Sequence, residues 1–324
     1  MGPTVLFIAR RTATSIALLA LTSVVIFVVM RVIPGDPTIT KLGGSIRDLD
    51  PQTLREVRHQ LGLDHSLPVQ YERWVAGMLH GNFGLSYFSQ YPVTTLVSER
   101  IFPTLQLSLT AFALGVSFAV LAASLSAIWR NRFLDAALSG FTAIGMATPT
   151  FVLGILMIVA FSVKLNWLPA QGYVSIEHDP VESMKAVLLP AITLAIGVAA
   201  PILRILRTSL AEVDSAAYIR TAAGKGMTRR QVVFGHMLPN AIIPALTMIG
   251  VILGTVIGGT VIVEYVFARP GLGTLMVDSV LQRDYQVLQA LVLFAAAVFI
   301  VTSLVVDILS CVIDPRLRLV GREA

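Results

Sequence analysis

The chain has 324 residues, of which 55% are hydrophobic and only 13% are charged, and its mean hydropathy is +0.78. Soluble domains carry about 25% charged residues, so this composition argues against a soluble enzyme and against a disordered protein. The net charge of +5 is not gathered into one basic tract, which disfavours nucleic-acid binding, and the single cysteine, Cys311, excludes a disulfide framework.

Six apolar stretches reach or approach the length of about 20 residues that a membrane-spanning helix needs. We predict spans at residues 12–30, 104–129, 136–163, 187–203, 241–266 and 287–312. The first is too long for the apolar part of a signal peptide and has no small-residue cleavage site, so it is predicted to be a retained span. The predicted fold is an all-α integral membrane protein with six transmembrane helices.

Lysine and arginine are unevenly distributed between the two sets of short connections. If the N-terminus is cytoplasmic, the short outer connections carry four basic residues, at Lys164, Lys185, Arg269 and Arg283. The inner side then carries thirteen, at Arg10, Arg11, Arg130, Arg132, Arg204, Arg207, Arg220, Lys225, Arg229, Arg230, Arg316, Arg318 and Arg322. The other seven fall between Arg31 and Arg100, around a first outer connection that is long enough to cross regardless of charge. The positive-inside rule therefore predicts that both termini are cytoplasmic.

The first outer connection, residues 34–103, has helical signals of its own. Thr53 and Glu56 have the spacing of a capping box, in which each side chain satisfies an amide at the start of a helix. A second helix is predicted after Pro68, ending at the glycine-rich residues 81–84. We therefore predict a small helical insertion outside the cytoplasm.

The inner connection between the fourth and fifth spans is predicted to form a helix–turn–helix. Asp214 can cap an alanine-rich helix, and Gly224 or Gly226 can end that helix in the left-handed conformation. Thr228 can then cap a second short helix, which Pro239 is expected to stop. The predicted hairpin has small side chains on its first helix and a basic turn.

Two interpretations of this hairpin are open on composition alone. Small residues would let the backbone of another protein approach closely, so the hairpin could dock into a partner. Alternatively, it could lie on the anionic inner leaflet and be held there by its basic residues, Arg220, Lys225, Arg229 and Arg230.

Several catalytic motifs are absent from the sequence. Gly224-Lys225 is followed by Gly226, so there is no phosphate-binding loop, and neither a zinc-protease motif nor a nucleophile elbow occurs. The five histidines show no metal-ligand spacing. We therefore expect no catalytic residue, no metal site and no cofactor in this chain.

The predicted spans contain almost no ionisable residues, and the exceptions, Glu264 and Asp307, lie toward helix ends. A proton-coupled carrier needs such groups within the membrane, so energy for uphill transport would come from another polypeptide. The two acids could contact solute or form an outer gate, or they could pair with neighbouring polar groups. Gly250, Gly254 and Gly258 form a stripe of small residues that suits packing within the bundle or at an interface beside the solute path.

The inner connection, residues 204–240, resembles the cytoplasmic loop of binding-protein-dependent ABC importer permeases. That loop has the pattern E-A-A-x-x-x-G, nine variable residues and I-x-L-P. Here Arg220-Thr221-Ala222 takes the place of E-A-A, Gly226 the place of the glycine, and His236-Met237-Leu238-Pro239 the place of I-x-L-P. The spacing matches, although the glutamate and the isoleucine are replaced.

Further motifs resemble the peptide permeases along nearly the whole chain. They are Arg31-Val-Ile-Pro-Gly-Asp-Pro37, Leu61-Gly-Leu-Asp64, Pro149-Thr-Phe151, Trp167-Leu-Pro169, Leu189-Pro-Ala-Ile-Thr193, Glu264 with Pro270-Gly-Leu-Gly273, Arg283-Asp-Tyr285 and Asp314-Pro-Arg316. The long first outer connection is similar to that of the B-type, or first, permease subunit of dipeptide and oligopeptide importers.

The resemblance implies a type I ABC importer permease fold in the bacterial inner membrane. It implies a second, C-type permease subunit, an extracytoplasmic solute-binding protein, and ATPase subunits, as two chains or one fused chain, that bind ATP and Mg²⁺. The residues implied to couple this chain to the ATPase are Tyr218, Ile219, Arg220, Thr221, Ala222, Lys225, Gly226, Met227 and Thr228. The outer helices could dock the binding protein or merely cover the bundle.

These expectations divide the chain into four parts. Residues 1–33 form the cytoplasmic N-terminus and first span, 34–103 the outer insertion, 104–313 the permease core with its coupling loop, and 314–324 a cytoplasmic tail. The predicted function is to form, with the second permease, the path for dipeptides or oligopeptides. The alternatives are a permease of the same family for nickel or another small solute, an ATP-independent channel or carrier, and a membrane scaffold without transport.

Overall fold

The computed structural model describes residues 3–32, 38 and 50–313, and within these ranges the chain is built from α-helices with two π-helical turns. The helices are α1 (Pro3–Val32), α2 (Pro51–Gln60), α3 (Leu67–Leu79), α4 (Val93–Trp129), α5 (Arg132–Ala147), α6 (Thr150–Met157, extended by a π-helix at Ile158–Lys164), α7 (Pro180–Asp214), α8 (Ala217–Gly224), α9 (Arg229–Val232, followed by a π-helix at Val233–Met237), α10 (Leu238–Val266), α11 (Leu272–Leu281) and α12 (Tyr285–Ile313). The motif at 314–316, the predicted tail 314–324 and most of the motif at 31–37 lie outside the described residues.

Five helices are long and apolar enough to cross a membrane, and a bent pair supplies a sixth span if it is counted as one. This confirms the predicted all-α fold with six spans. The pair consists of α5 and α6 with its π-helical extension, which meet at 113°. The apolar stretch predicted as the third span, residues 136–163, lies in this bent pair and is divided at Thr148. Thr148 is extended, because the ring of Pro149 disfavours a helical conformation in the residue before it.

The second and fourth spans are longer than their hydropathy predicts. Helix α4 begins at Val93 rather than near residue 104, and α7 covers Pro180–Asp214 rather than 187–203. The additional turns contain polar residues that hydropathy scores against, yet their inward faces are buried: Val93, for example, is fully covered. Tertiary packing thus extends both helices beyond their apolar stretches.

Helices α4 and α7 form the centre of the bundle. Small residues let them approach closely, and a methyl group added at Gly115 of α4 would overlap the side chain of Val198 on α7. Around this contact, buried alanine, leucine, isoleucine and valine side chains from both helices form the largest apolar cluster. The cluster continues into α8 and α9, so the predicted hairpin is joined to the core of the bundle.

Helices α1 and α12 pack antiparallel to each other. At one end, Arg11 forms an ion pair with Asp307 at 2.9 Å, and at the other end Met30 packs in one cluster with Tyr285 and Leu288. This pairing defines the two ends of the bundle. We call the end that carries α8 and α9 the hairpin side, and the end that carries α2, α3 and α11 the loop side.

In the described residues of the predicted 34–103 insertion, two helices precede α4, as the sequence predicted. However, Thr53 does not cap the first of them: α2 begins two residues earlier with Pro51 in its first turn, and its N-cap residue is Asp50. Proline is favoured at this position because its fixed φ suits the helix and its missing amide is not needed there. Helix α3 then packs on α1, where the hydroxyl groups of Tyr71 and Ser23 hydrogen-bond at 2.8 Å.

Candidate functional site

The α8–α9 hairpin follows the predicted arrangement at its turn. Gly226 has a φ of +84°, so it adopts the left-handed conformation that ends α8. Thr228 caps α9 in a capping box, with the Thr228 amide donating to Gln231 Oε1 at 2.9 Å. These two local predictions are confirmed.

Two other predictions for the hairpin were wrong. Asp214 does not cap α8: it is the last residue of α7, and Ala216 occupies the N-cap position. Pro239 does not stop the second helix, which continues through the π-helix at Val233–Met237 into α10. The change of hydrogen-bonding pattern at the π-helix places Pro239 in the first turn of α10, where a missing amide removes no bond.

The predicted coupling residues divide between two faces of the hairpin. Ile219 and Ala222 are buried, at 3% and 8% exposure, and pack into the core cluster between α4 and α7. Tyr218 is 47% exposed, and Met227 is half-buried. Arg220, Thr221, Lys225, Gly226 and Thr228 are also exposed. The exposed face of the hairpin therefore carries small and polar side chains around the ring of Tyr218. Its opposite face is fixed to the bundle by the buried side chains of Ile219 and Ala222.

A charged clamp that sequence reasoning missed holds the base of the hairpin. The carboxylate of Asp214 pairs with Arg130, at the end of α4, and with Arg229 of α9, the latter at 2.6 Å. Arg229 also donates from Nε to the carbonyl of Ala127 at 2.9 Å. The clamp therefore joins α4, α7 and α9 at one carboxylate.

We expect Asp214→Ala to loosen the hairpin and to lower the free energy of unfolding by about 1–2 kcal/mol, since two arginines lose a partly buried partner. Denaturant unfolding and amide hydrogen exchange at Ala217–Gly224 measure the two effects. Glu212→Ala is the matched control, because Glu212 is an exposed acid on the same helix and outside the clamp. Equal exchange rates in the two variants would contradict the clamp.

On the loop side, Glu264 of α10 is fully buried and joins three helices. Its carboxylate accepts hydrogen bonds from Thr104 Oγ1 at 2.6 Å and from the amides of Gly273 and Thr274, at 2.7 and 3.2 Å. The two amides belong to the first turn of α11, so Glu264 accepts from the N-terminus of this helix together with Thr104, whose hydroxyl accepts from the amide of Leu272 at 2.8 Å. These contacts are those of a structural group.

The glycines that follow Glu264 explain the motif Pro270-Gly-Leu-Gly273. A methyl group on Gly271 would overlap the Glu264 carboxylate, and one on Gly273 would overlap the backbone of Val261. Only glycine lets the start of α11 approach α10 this closely. The motif is therefore required by packing around a buried acid.

Arg269 is also buried, at 1% exposure, and only its place next to the motif at 270–273 indicated a role in the sequence. Its guanidinium donates to Gln106 Oε1 at 2.6 Å and to the carbonyl of Pro103, and it lies over the ring of Tyr173 at 4.9 Å. The group fixes the chain after α10 to α4.

Asp284, in the motif Arg283-Asp-Tyr285, holds a different loop. Its carboxylate accepts from the hydroxyl of Ser86 and from the amide of Tyr87 at 3.1 Å. The segment before α4 is thereby attached to the start of α12. The acidic residue of this motif has a packing role, as Glu264 has.

The structure does not bring Glu264 and Asp307 together. Asp307 lies near the hairpin side, where it pairs with Arg11, whereas Glu264 lies on the loop side. Among the described residues, no group of three or more His, Cys, Asp or Glu side chains could hold a metal ion.

The three glycines of the stripe on α10, Gly250, Gly254 and Gly258, have different surroundings. A methyl group on Gly250 would overlap Val306 of α12, and one on Gly254 would lie 3.3 Å from the ring of Phe299. A methyl group on Gly258 would meet nothing within 4 Å. Two of the three glycines thus pack within one bundle, and the third faces outward.

We expect Gly250→Ala to lower the free energy of unfolding of the chain by about 1–3 kcal/mol, because it overpacks the contact with α12. Gly258→Ala is the matched control and should leave that stability unchanged. If Gly258 instead lies at a subunit interface, its replacement should weaken assembly with a second permease, measured by co-purification. Equal stability loss in the two variants would contradict the assignment of Gly250 to internal packing.

Comparison with known proteins places these features in context. Residues 90–319 match the family described as "Binding-protein-dependent transport system inner membrane component", and residues 4–110 match the corresponding N-terminal family. The chain is 40% identical over 317 residues to the "Probable peptide ABC transporter permease protein y4tP" of Sinorhizobium fredii, covering 96% of this chain and 99% of that protein. It is 40% identical over 312 residues to the "Glutathione transport system permease protein GsiC" of Escherichia coli K12, covering 96% and 98%.

A similar fold occurs in a solved structure. A chain of the inward-facing MetNI methionine ABC transporter aligns with a TM-score of 0.56 and 18% identity, covering 68% of this chain and 96% of that one. At this identity the likeness concerns the fold alone.

Proposed function

Because this chain belongs to the family of binding-protein-dependent transport system inner membrane components and is an ABC importer permease of the peptide and glutathione type, we propose that it forms one half of a membrane path for dipeptides or oligopeptides. A second, C-type permease subunit would form the other half. Two relatives carry names that refer to peptide and to glutathione, itself a short peptide. A nickel permease of the same family is not favoured by these relatives.

The observation that carries the proposal is the hairpin. Helix α8 is held at its base by the Asp214 clamp and by buried Ile219 and Ala222, while Tyr218 and its polar neighbours remain exposed. A short, rigidly supported helix with a small-residue surface suits insertion into a cleft of another protein. We propose that this partner is an ATPase subunit, in two chains or one fused chain, and that ATP and Mg²⁺ bind there.

The proposed mechanism follows from the connections of α8. Closure of the ATPases around ATP would shift α8, and the clamp and the apolar base would pass the shift to α4 and α7. Because these are the two central helices, their displacement would reorient the bundle and alternate access to the solute path. No residue of this chain is required to perform chemistry.

The distribution of basic residues supports an orientation with the hairpin side and both termini in the cytoplasm. The loop side, with α2 and α3 of the 34–103 insertion, would then face a solute-binding protein outside. The core would comprise residues 104–313, with 204–240 as its coupling loop, between the first span in 1–33 and a cytoplasmic tail in 314–324.

The proposal is tested by purifying the chain in mild detergent from its native membrane and identifying what accompanies it by mass spectrometry. We expect a second six-span permease, ATPase chains and a solute-binding protein carrying a peptide. Uptake of that peptide into proteoliposomes should require ATP. Uptake without ATP would support a channel or carrier instead, and stable partners without any uptake would support a scaffold.

A further inference from the structure

A small cavity lies on the loop side, between the end of α1, helix α3 and the start of α12. Its volume is about 230 Å³, and its polar lining includes Arg31, Gln70, Arg73, Tyr87, Gln286 and Gln289. Leu61 and Gly62 also line it. Arg31 begins one of the motifs that resemble peptide permeases, and Leu61 begins another. The fold therefore brings two motifs that the hairpin does not explain to one cavity.

Three polar side chains of the cavity are already bonded within the chain. Gln70 accepts from Arg31 Nε at 3.0 Å and donates to two backbone carbonyls. Gln286 donates to a backbone carbonyl at 2.8 Å and accepts from the Tyr87 hydroxyl at 3.3 Å. The two glutamines and the tyrosine therefore shape the cavity, and a ligand would have to bind to other groups.

The groups that remain are hydrogen-bond donors, and two of them are cations. Arg73 is exposed and has no hydrogen bond or ion pair within the described part of the chain. Arg31 is half-buried, with its guanidinium 4.9 Å from the ring of Phe27, and it forms no ion pair with any described acid. Gln289 is 2% exposed, and its Nε2 has no acceptor among the described residues. Buried donors of this kind need an acceptor.

The positive charge of the cavity has no counter-charge in its described lining, which contains no aspartate or glutamate. Asp284 lies close by, but the hydroxyl of Ser86 and the amide of Tyr87 already bind its carboxylate. Arginine is seldom buried without a partner, and its planar group binds a carboxylate through paired N–H donors. The chemistry of the cavity therefore suits a carboxylate.

Size and position decide what carries this carboxylate. Sites for drug-sized ligands measure about 300–1,000 Å³, so a cavity of about 230 Å³ admits one side chain or a small acid and excludes a peptide of several residues. The cavity lies beside α3 on the loop side, which the proposed orientation turns toward a solute-binding protein. Because Arg73 is exposed there, a side chain of that protein can reach it from outside.

We propose that this cavity receives an acidic side chain of the solute-binding protein, with its carboxylate on Arg73 and Arg31. This docking rests on the proposed function, since that function places a binding protein opposite the loop side. The contact would fix the binding protein to the outer insertion and to α1 together, because Gln70 of α3 is bonded to Arg31 of α1. A free small acid has the same chemistry, and the experiment separates the two sources.

The test measures binding of the solute-binding protein to the assembled complex in lipid nanodiscs by surface plasmon resonance. We expect Arg73→Gln to weaken this binding about tenfold, which corresponds to about 1.4 kcal/mol. Arg73→Lys keeps the charge and should weaken it less. Arg283→Gln is the matched control, because Arg283 is an exposed arginine of the loop side that does not line the cavity. Its binding should equal that of the unmodified complex.

A second variant, Arg31→Gln, tests the half-buried cation and should also weaken binding. If it fails to fold because the bond to Gln70 is lost, Arg73→Gln still decides. Unchanged binding in Arg73→Gln, or an equal loss in Arg283→Gln, would overturn this docking alone. Unchanged binding together with heat stabilisation by acetate that Arg73→Gln abolishes would assign the cavity to a free acid instead. A complex that binds no solute-binding protein would overturn the proposed function as well.

Discussion

Replacing Glu264 by alanine is expected to be among the most damaging single changes to this protein, with a loss of about 3–5 kcal/mol in the free energy of unfolding. The substitution removes the acceptor for the Thr104 hydroxyl and for the amides of Gly273 and Thr274, all at a site closed to water. Each buried donor left without a partner costs about 1–3 kcal/mol. The start of α11 should therefore detach from α10.

Denaturant unfolding of the purified chain measures this loss. Glu264→Gln separates hydrogen bonding from charge, because the amide oxygen can still accept from both backbone amides, and we expect a smaller loss. Asp278→Ala is the matched control: it removes an exposed carboxylate from α11 itself. If Glu264→Ala were as stable as Asp278→Ala while uptake was abolished, the acid would act on solute rather than on packing.

Replacing Gly226 by tryptophan is expected to reduce ATP-driven uptake by about tenfold or more, while the bundle remains folded. At a φ of +84° any side chain costs about 1–2 kcal/mol. A side chain at Gly226 meets nothing within 4 Å of its Cβ in this chain. Gly226→Ala therefore introduces only the backbone strain, and any further loss in Gly226→Trp reports contact with a partner.

The matched control for this pair is Gly81, which has a φ of +73°, an equally open Cβ position and a place on the loop side. Gly81→Ala and Gly81→Trp should carry the same strain without releasing the ATPase from the purified complex. Retained ATPase and uptake in proteoliposomes are measured for all four variants. Equal uptake in Gly226→Ala and Gly226→Trp would be incompatible with a coupling surface at the turn.

Local chemistry made part of the hairpin predictable. The left-handed Gly226 and the capping box of Thr228 with Gln231 depend on residues within one turn of each other, so the sequence contains their whole cause. Local reasoning predicted the wrong role for Asp214, which forms ion pairs and does not cap α8. A capping residue and an ion-pair partner look alike in sequence, and the arginine at 130 that decides between them is distant in the chain.

Pro149 and Pro239 also show that the local sequence does not decide where a helix ends. Pro149 does break its span, because its ring acts directly on Thr148. Pro239 does not stop its helix, because the preceding π-helix is available and α10 is held in place by the bundle. Whether a proline ends a helix depends on what surrounding contacts compensate, and those are tertiary.

The sequence by itself determined that this is a six-span all-α membrane protein with a hairpin on one side, since hydropathy, basic-residue bias and turn chemistry are local properties. Only the tertiary structure decided what the buried polar groups do. Glu264 and Asp284 hold helices and loops together, and Asp214 anchors the hairpin. Their roles depend on donors up to 198 residues away in the chain, and burial makes each unpaired donor costly enough to fix that arrangement.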